Sequence, residues 1–139
     1  MDIDFAFLAD SAEAVNGKLY VMGGSIDTIF SPGVPVIHPK LSFAMRLLAS
    51  AGEVGRKHNL EITVIDEDGK RIAAAAGAIE IGKNPNVPRG WKHGFLAVLN
   101  FANLKFDKFG TYSFEVIVNN SSLKSVLLQI GQVAQIQSS

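Results

Sequence analysis

Apolar residues recur along this chain with a period of two. Ile3, Phe5 and Phe7 alternate with Asp2, Asp4 and a small residue, and the same rhythm returns in Leu41, Phe43, Met45 and Leu47, in Leu60, Ile62 and Val64, and in Tyr112, Phe114, Val116 and Val118. Successive side chains on a strand point to opposite faces, so each such run lays one apolar face on a core. Nowhere does helical spacing persist over three turns. The pattern predicts an all-β fold, an antiparallel sandwich of about seven to nine strands.

The punctuation between the runs divides the chain further. The first strand is expected to end near Ala9. "DSAEAVNGK" then has two readings: one short helical turn near residues 11–15, from the capping-box spacing of Asp10 and Glu13 and a left-handed end at Asn16-Gly17, or a wide hairpin loop. "KLYVMGGSIDTIF" reads as a strand broken at Gly23-Gly24, where a bend lets the chain cross between sheets. "SPGVPVIHPK", with three prolines, is expected as a loop or edge segment. Asp66-Glu67-Asp68-Gly69 is a hairpin turn rather than a calcium loop, which needs further oxygen ligands and a closing glutamate. It leads into a strand from about Lys70 to Ile81. "GKNPNVPRGWKHG" is the longest loop, and strands at about 94–104, 111–118 and 124–136 close the chain.

Composition narrows the function. With 139 residues, 47% of them hydrophobic, the chain is expected to form one domain spanning 1–139. Its 13 basic and 13 acidic residues cancel, which argues against nucleic acid and anionic membranes as partners. No cysteine is present, so disulfides, thiolate metal sites and cysteine nucleophiles are excluded, and a reducing compartment fits. Asp2 and Asp4 stand where a signal peptide carries lysines, and the longest apolar run, "IAAAAGAI", is far too short to span a bilayer. A soluble, cytoplasmic protein is expected. His38, His58 and His93 form no local ligand pair, "GGSID" is no nucleophile elbow, and no spaced-glycine phosphate loop opens a helix. No cofactor, metal site or catalytic residue is assigned.

The segment "LKFDKFGTYSFEVIVNN" resembles the E–F corner and F strand of immunoglobulin-like and fibronectin-like sandwiches. The likeness extends over roughly the last 45 residues. Asp107, Gly110 and Tyr112 occupy the acidic, small and tyrosine positions, and Phe114 stands where antibody domains carry their second cysteine. The resemblance implies an Ig-like sandwich in which Tyr112 is a structural corner, its ring buried and its hydroxyl bonded to upstream backbone. The segment "NGKLYVMGGSIDT" is similar to small bacterial proteins of uncharacterised function, which points to a bacterial or phage origin.

Two places are candidates for function. On the long loop, Arg89, Trp91, Lys92 and His93 unite a stacking surface with hydrogen-bond donors suited to a sugar, an anion or an acidic peptide; the burial usual for large aromatics favours the plainer reading, that Trp91 plugs an open end of the sandwich with its charged neighbours solvated. On the sheet faces, Ile117 and Leu127 alternate out of phase with their strands. If Val116 faces Val126 they become diagonal neighbours, while Leu96 and Val98 make a second strand apolar on both sides. Such faces call for a cover, which leads to the expectation of a homo-oligomer or a protein partner. The leading expectation is a non-catalytic binding or assembly module. A carbohydrate- or small-anion-binding domain using the Trp91 loop is the alternative, and an enzyme whose site the fold assembles is the third reading.

Overall fold

Asn16 and Gly17 both have positive φ, 51° and 73°, the requirement of a two-residue type I′ hairpin. They join β1 (Asp2–Val15) to β2 (Lys18–Gly24), with Val15 opposite Lys18 and Glu13 opposite Tyr20. This corrects both readings of residues 10–17. Strand β1 runs straight through Asp10–Val15, because the tight Asn-Gly turn pairs Ser11–Val15 with Lys18–Met22 of β2, ladder bonds that an isolated helical turn lacks.

The computed structural model describes residues 1–134. Seven further strands follow the hairpin: β3 (Thr28–Ser31), β4 (Val36–Ala49), β5 (Lys57–Ile65), β6 (Arg71–Glu80), β7 (His93–Phe106), β8 (Gly110–Val118) and β9 (Ser121–Gln132). They form two sheets, ordered β2-β1-β4-β7 and β3-β9-β8-β5-β6. The all-β sandwich expected from the alternation is therefore the fold, and the described residues contain no helix long and apolar enough to cross a membrane. Of the expected strand 124–136, Gln135 and Ile136 lie outside the described residues.

The Gly23-Gly24 bend does what its composition requires. Gly23 and Ser25 have φ of 61° and 62°, and the chain leaves β2 in one sheet to enter β3 in the other, where β3 pairs in parallel with β9. A Cβ at Gly23 would run into the carboxylate of Asp10. The proline-rich segment is only partly an edge. Val36–Lys40 opens β4 and pairs with β7, whereas β1 covers β4 only from Ser42 onward. Pro39 thus lies where β4 has one neighbour, and its missing N–H costs no second ladder bond.

Between the sheets, Phe114 of β8 stacks on Phe43 of β4 with centroids 6.1 Å apart and meets Phe101 of β7 edge-on at 5.7 Å. Leu8, Met45, Ile62, Val116 and Leu128 complete the dry centre. Burying side chains of this size is worth about 1.5–3 kcal/mol each, which makes this layer the main source of stability. Tyr112 is 97% buried with its ring against Phe106 at 4.8 Å. Asp107, in contrast, is exposed and reaches only Lys105, at 3.7 Å, so it takes no part in the buried corner.

The β5–β6 turn closes on Asp66, whose side chain accepts the N–H groups of Asp68 and Lys70 at 3.0 and 2.9 Å. Its neighbours dock on the β7–β8 corner: Glu67 accepts the N–H of Thr111 at 2.6 Å, and Lys108 pairs with Asp68 at 2.8 Å. Lys108 holds the Asp68 carboxyl below its ordinary value and is itself raised by the same contact. The acidic cluster is a turn and a clasp.

Candidate functional site: the Trp91 loop

Two successive turns build the loop between β6 and β7. Asn84 accepts the N–H of Val87 at its carbonyl, 3.1 Å, and the N–H of Asn86 at its side chain, 3.0 Å, with Pro85 at the corner. Pro88 then accepts the N–H of Trp91 at 3.1 Å. Gly90, between them, has φ of 88°, the value a type II turn needs at its third residue and one that favours glycine. The sequence "NPNVPRGW" thus folds locally, placing Arg89 at a turn corner and Trp91 at its exit.

Trp91 is 67% exposed, so it is not a plug. Its ring borders an open cleft of about 390 Å³ lined by Ala51, Val54, Pro85, Val87, Pro88 and the cationic or titratable Lys83, Arg89 and His93. The floor is firm because Val54 packs with Ala49 and Ile81 in a small second core against Phe95, and Gly55 donates its N–H to the carbonyl of Ile81 at 2.7 Å. The 50–55 loop is itself held by Glu53, which accepts from Ser50 and pairs with the amino group of Met1 at 2.8 Å. The Met1 ammonium, then the Ser50 N–H, bring the Glu53 carboxyl down to about 2.

Lys92 behaves differently from its neighbours. It binds Asp2 at 2.7 Å, a hydrogen-bonded ion pair that lowers the Asp2 carboxyl and raises Lys92. Lys92 therefore anchors the end of the loop to β1. Among the described residues no carboxylate lies within ion-pair distance of Arg89 or Lys83. The fold brings Arg89, Trp91 and His93 to one cleft and assigns Lys92 elsewhere. Lys83, Ala51 and Val54 join this cleft as well. Lys83 belongs to the same loop motif, but nothing in the local pattern links residues 51 and 54 to it.

The sheet-face candidates separate into two places. Ile117 and Leu127 share the outer face of the five-stranded sheet but are not diagonal neighbours. Phe114, not Val116, faces Val126; Ile117 lies opposite Ser122, Leu127 opposite Ser113, and the Glu115–Ser125 pair stands between them. The reason is the turn and a bulge: Asn119 and Asn120, both at positive φ, form a two-residue hairpin that pairs Val118 with Ser121, and the irregularity between Val116 and Ile117 then sets Val116 opposite Lys124, two residues from the expected partner. Leu96 and Val98 face outward on the other sheet, opposite Arg46 and Ala44, in the rows that contain Phe5 and Phe7.

The histidines lie on three different strands. His38 and His93 sit at opposite ends of the β4–β7 ladder, and His58, buried on β5, donates Nε2–H to the carbonyl of Glu53 at 2.7 Å while Nδ1 accepts from Asn119 at 2.9 Å. His58 is a structural tie between the 50–55 loop and the Asn-Asn hairpin.

No curated protein matches the chain. Among solved structures it is similar to a β-glucuronidase from glycoside hydrolase family 2, at 13% identity and a TM-score of 0.40, over 70% of this chain and 11% of that one. The chain thus spans about a tenth of that enzyme's length. A family model matches residues 4–131. That match covers nearly the whole sandwich, and the chain belongs to the Family of unknown function (DUF6941).

Proposed function

We propose that the domain is a non-catalytic binding module whose ligand is a ring with an apolar face and an anionic group, such as an acidic saccharide, held in the Trp91 cleft. The observation that carries this reading is the exposed indole beside an apolar cleft whose charged rim residues, Lys83 and Arg89, have no carboxylate partner among the described residues. A ring face stacks on tryptophan, and Arg89 can grip a carboxylate or phosphate with two N–H groups. Among the described residues no carboxylate lines the cleft, so an acidic ligand meets no like charge there.

The Ig-like reading of the sandwich is supported by two features. Strand β8 lies between β5 and β9 and faces β4 across the core, the relation of the F strand to C, G and B in immunoglobulin domains. Tyr112 bonds upstream backbone as the corner tyrosine of those domains does. The absence of cysteine fits a cytoplasmic setting.

Calorimetric titration with oligogalacturonate fragments and their neutral counterparts tests the binding reading. The acidic fragments should bind, the neutral ones more weakly by about tenfold, corresponding to ~1.4 kcal/mol. Affinity that ignores the charge, or survives Arg89→Ala unchanged, contradicts it.

A further inference from the structure

Among the described residues, the outermost strand of the five-stranded sheet, β6 (Arg71–Glu80), has β5 as its one neighbour. Its other side is an edge ten residues long, along which the backbone N–H and C=O groups of every second residue point away from β5. Natural sheets blunt such an edge with charge, proline or shortness. The opposite edge of this sheet does so, since β3 has four residues. Strand β6 does not: between Arg71 and Glu80 it reads Ile-Ala-Ala-Ala-Ala-Gly-Ala-Ile, without a charge or a proline. Below this edge, between β6 and β7, runs a groove of about 270 Å³ lined only by apolar residues and glycine, among them Leu60, Ile79, Phe95 and Leu99.

We infer that β6 pairs antiparallel with β6 of a second copy about a two-fold axis, joining the two five-stranded sheets into one of ten strands and covering the groove. The charges at its ends select this partner. Arg71 and Glu80 lie on the outer face, as does Ala76, which pairs with Glu61. An axis at Ala76 sets Ala78 opposite Ala74 of the second copy. Because Ile72 is skipped between the pairs Val64–Ala73 and Ile65–Arg71, the next outer-face neighbour of Glu80 is Arg71 of the second copy. Both ends then carry an opposite-charge pair, whereas a parallel arrangement would bring like charges together. Arg71 keeps its 3.4 Å contact with Glu61 and retains further N–H donors for the second carboxylate. Alanines at the junction leave room for the two outer faces to continue into each other.

This inference is independent of the Trp91 cleft, which lies on the loop beyond β6. Sedimentation velocity on the full chain at about 100 µM, a concentration at which even modest interfaces associate, reads it directly. The wild type should sediment at twice 14.9 kDa. Ala76→Lys places two ammonium groups at the axis, and Glu80→Arg sets Arg against Arg; each should return the chain to a monomer that still unfolds cooperatively, at a melting temperature that no longer rises with concentration. The double exchange Arg71→Glu with Glu80→Arg should restore the dimer. A monomeric wild type overturns the inference, and so does a dimer indifferent to Ala76→Lys and Glu80→Arg, which would assign the contact to another face. Failure of the double exchange to restore association overturns the antiparallel register.

Discussion

The hydroxyl of Tyr112 donates to the carbonyl of Lys108 at 2.8 Å and accepts the N–H of the same residue at 3.2 Å, so one side chain satisfies both backbone groups of one corner residue. No ladder partner is available to Lys108, which lies between β7 and β8. The corner tyrosine thus replaces the hydrogen bonds that a turn at the mouth of a sandwich cannot find elsewhere. Tyr112→Phe keeps the ring on Phe106 and loses both bonds. The expected loss is about 1–2 kcal/mol in urea unfolding, with the fold retained. No loss would mean that water serves the corner equally well.

Gly110 tests the clasp on the same corner. Its φ is 137°, and a Cβ there would stand 2.7 Å from the carboxylate of Glu67, which already accepts the N–H of Thr111. Gly110→Ala should destabilise by about 1–3 kcal/mol, and Glu67→Ala by less. In the double variant the cost of the alanine should shrink, since the clash is gone and only the backbone strain remains. Additive losses would show that Glu67 does not press on this position.

Glu115 supplies a pH signature. Burial alone raises its carboxyl, yet the hydroxyls of Ser113, Ser125 and Ser122, at 2.6, 2.6 and 3.3 Å, together bring it below its ordinary 4.5. A carboxyl lower in the folded than in the unfolded chain contributes stability above the unfolded value and loses it as pH falls through the folded one. The melting temperature of the wild type should exceed that of Glu115→Gln at neutral pH, and the gap should close in acid below 4.5. Melting curves that stay parallel over this range would contradict the assignment.

How far the sequence carried can be judged at particular residues. Period-two alternation identified the core faces of β4, β5 and β8, because burial on one side imposes that period, but it misled at β1, where the irregularity between Ile3 and Phe5 turns Phe5 and Phe7 to the outer face and Ala6 and Leu8 to the core. Tyr112 was legible because its corner is local, four residues from its partner. Register was not, since the diagonal expected of Ile117 and Leu127 depended on which two residues of "NNSSL" turn, and asparagine adopts positive φ nearly as readily in several frames. The long β1–β2 hairpin was hidden for a related reason: Ser11, Ala12 and Ala14 carry no apolar alternation, and only Asn16-Gly17 marks the turn. The loop motif around Trp91 was visible, and so were the turn-forming Pro85, Pro88 and Gly90. The cleft was not, because its floor arrives from residues 51 and 54, and the diversion of Lys92 to Asp2 joins positions 90 residues apart.

That diversion separates two basic neighbours. Lys92→Ala should leave affinity for acidic saccharides within about twofold and, because its pair with Asp2 is exposed and screened by solvent, cost little stability. Arg89→Ala should weaken binding by about tenfold or more with no loss of stability. Equal effects on affinity would mean that Lys92 leaves Asp2 for the ligand.

The most direct test of the binding cleft is the fluorescence of the single tryptophan, followed during iodide quenching with and without oligogalacturonate. An indole 67% exposed beside Arg89 and Lys83 should emit at the long wavelength of a solvated ring and be quenched efficiently by this anion, and the acidic saccharide should protect it. Blue-shifted emission that resists iodide, or quenching that no acidic saccharide relieves, would contradict the account.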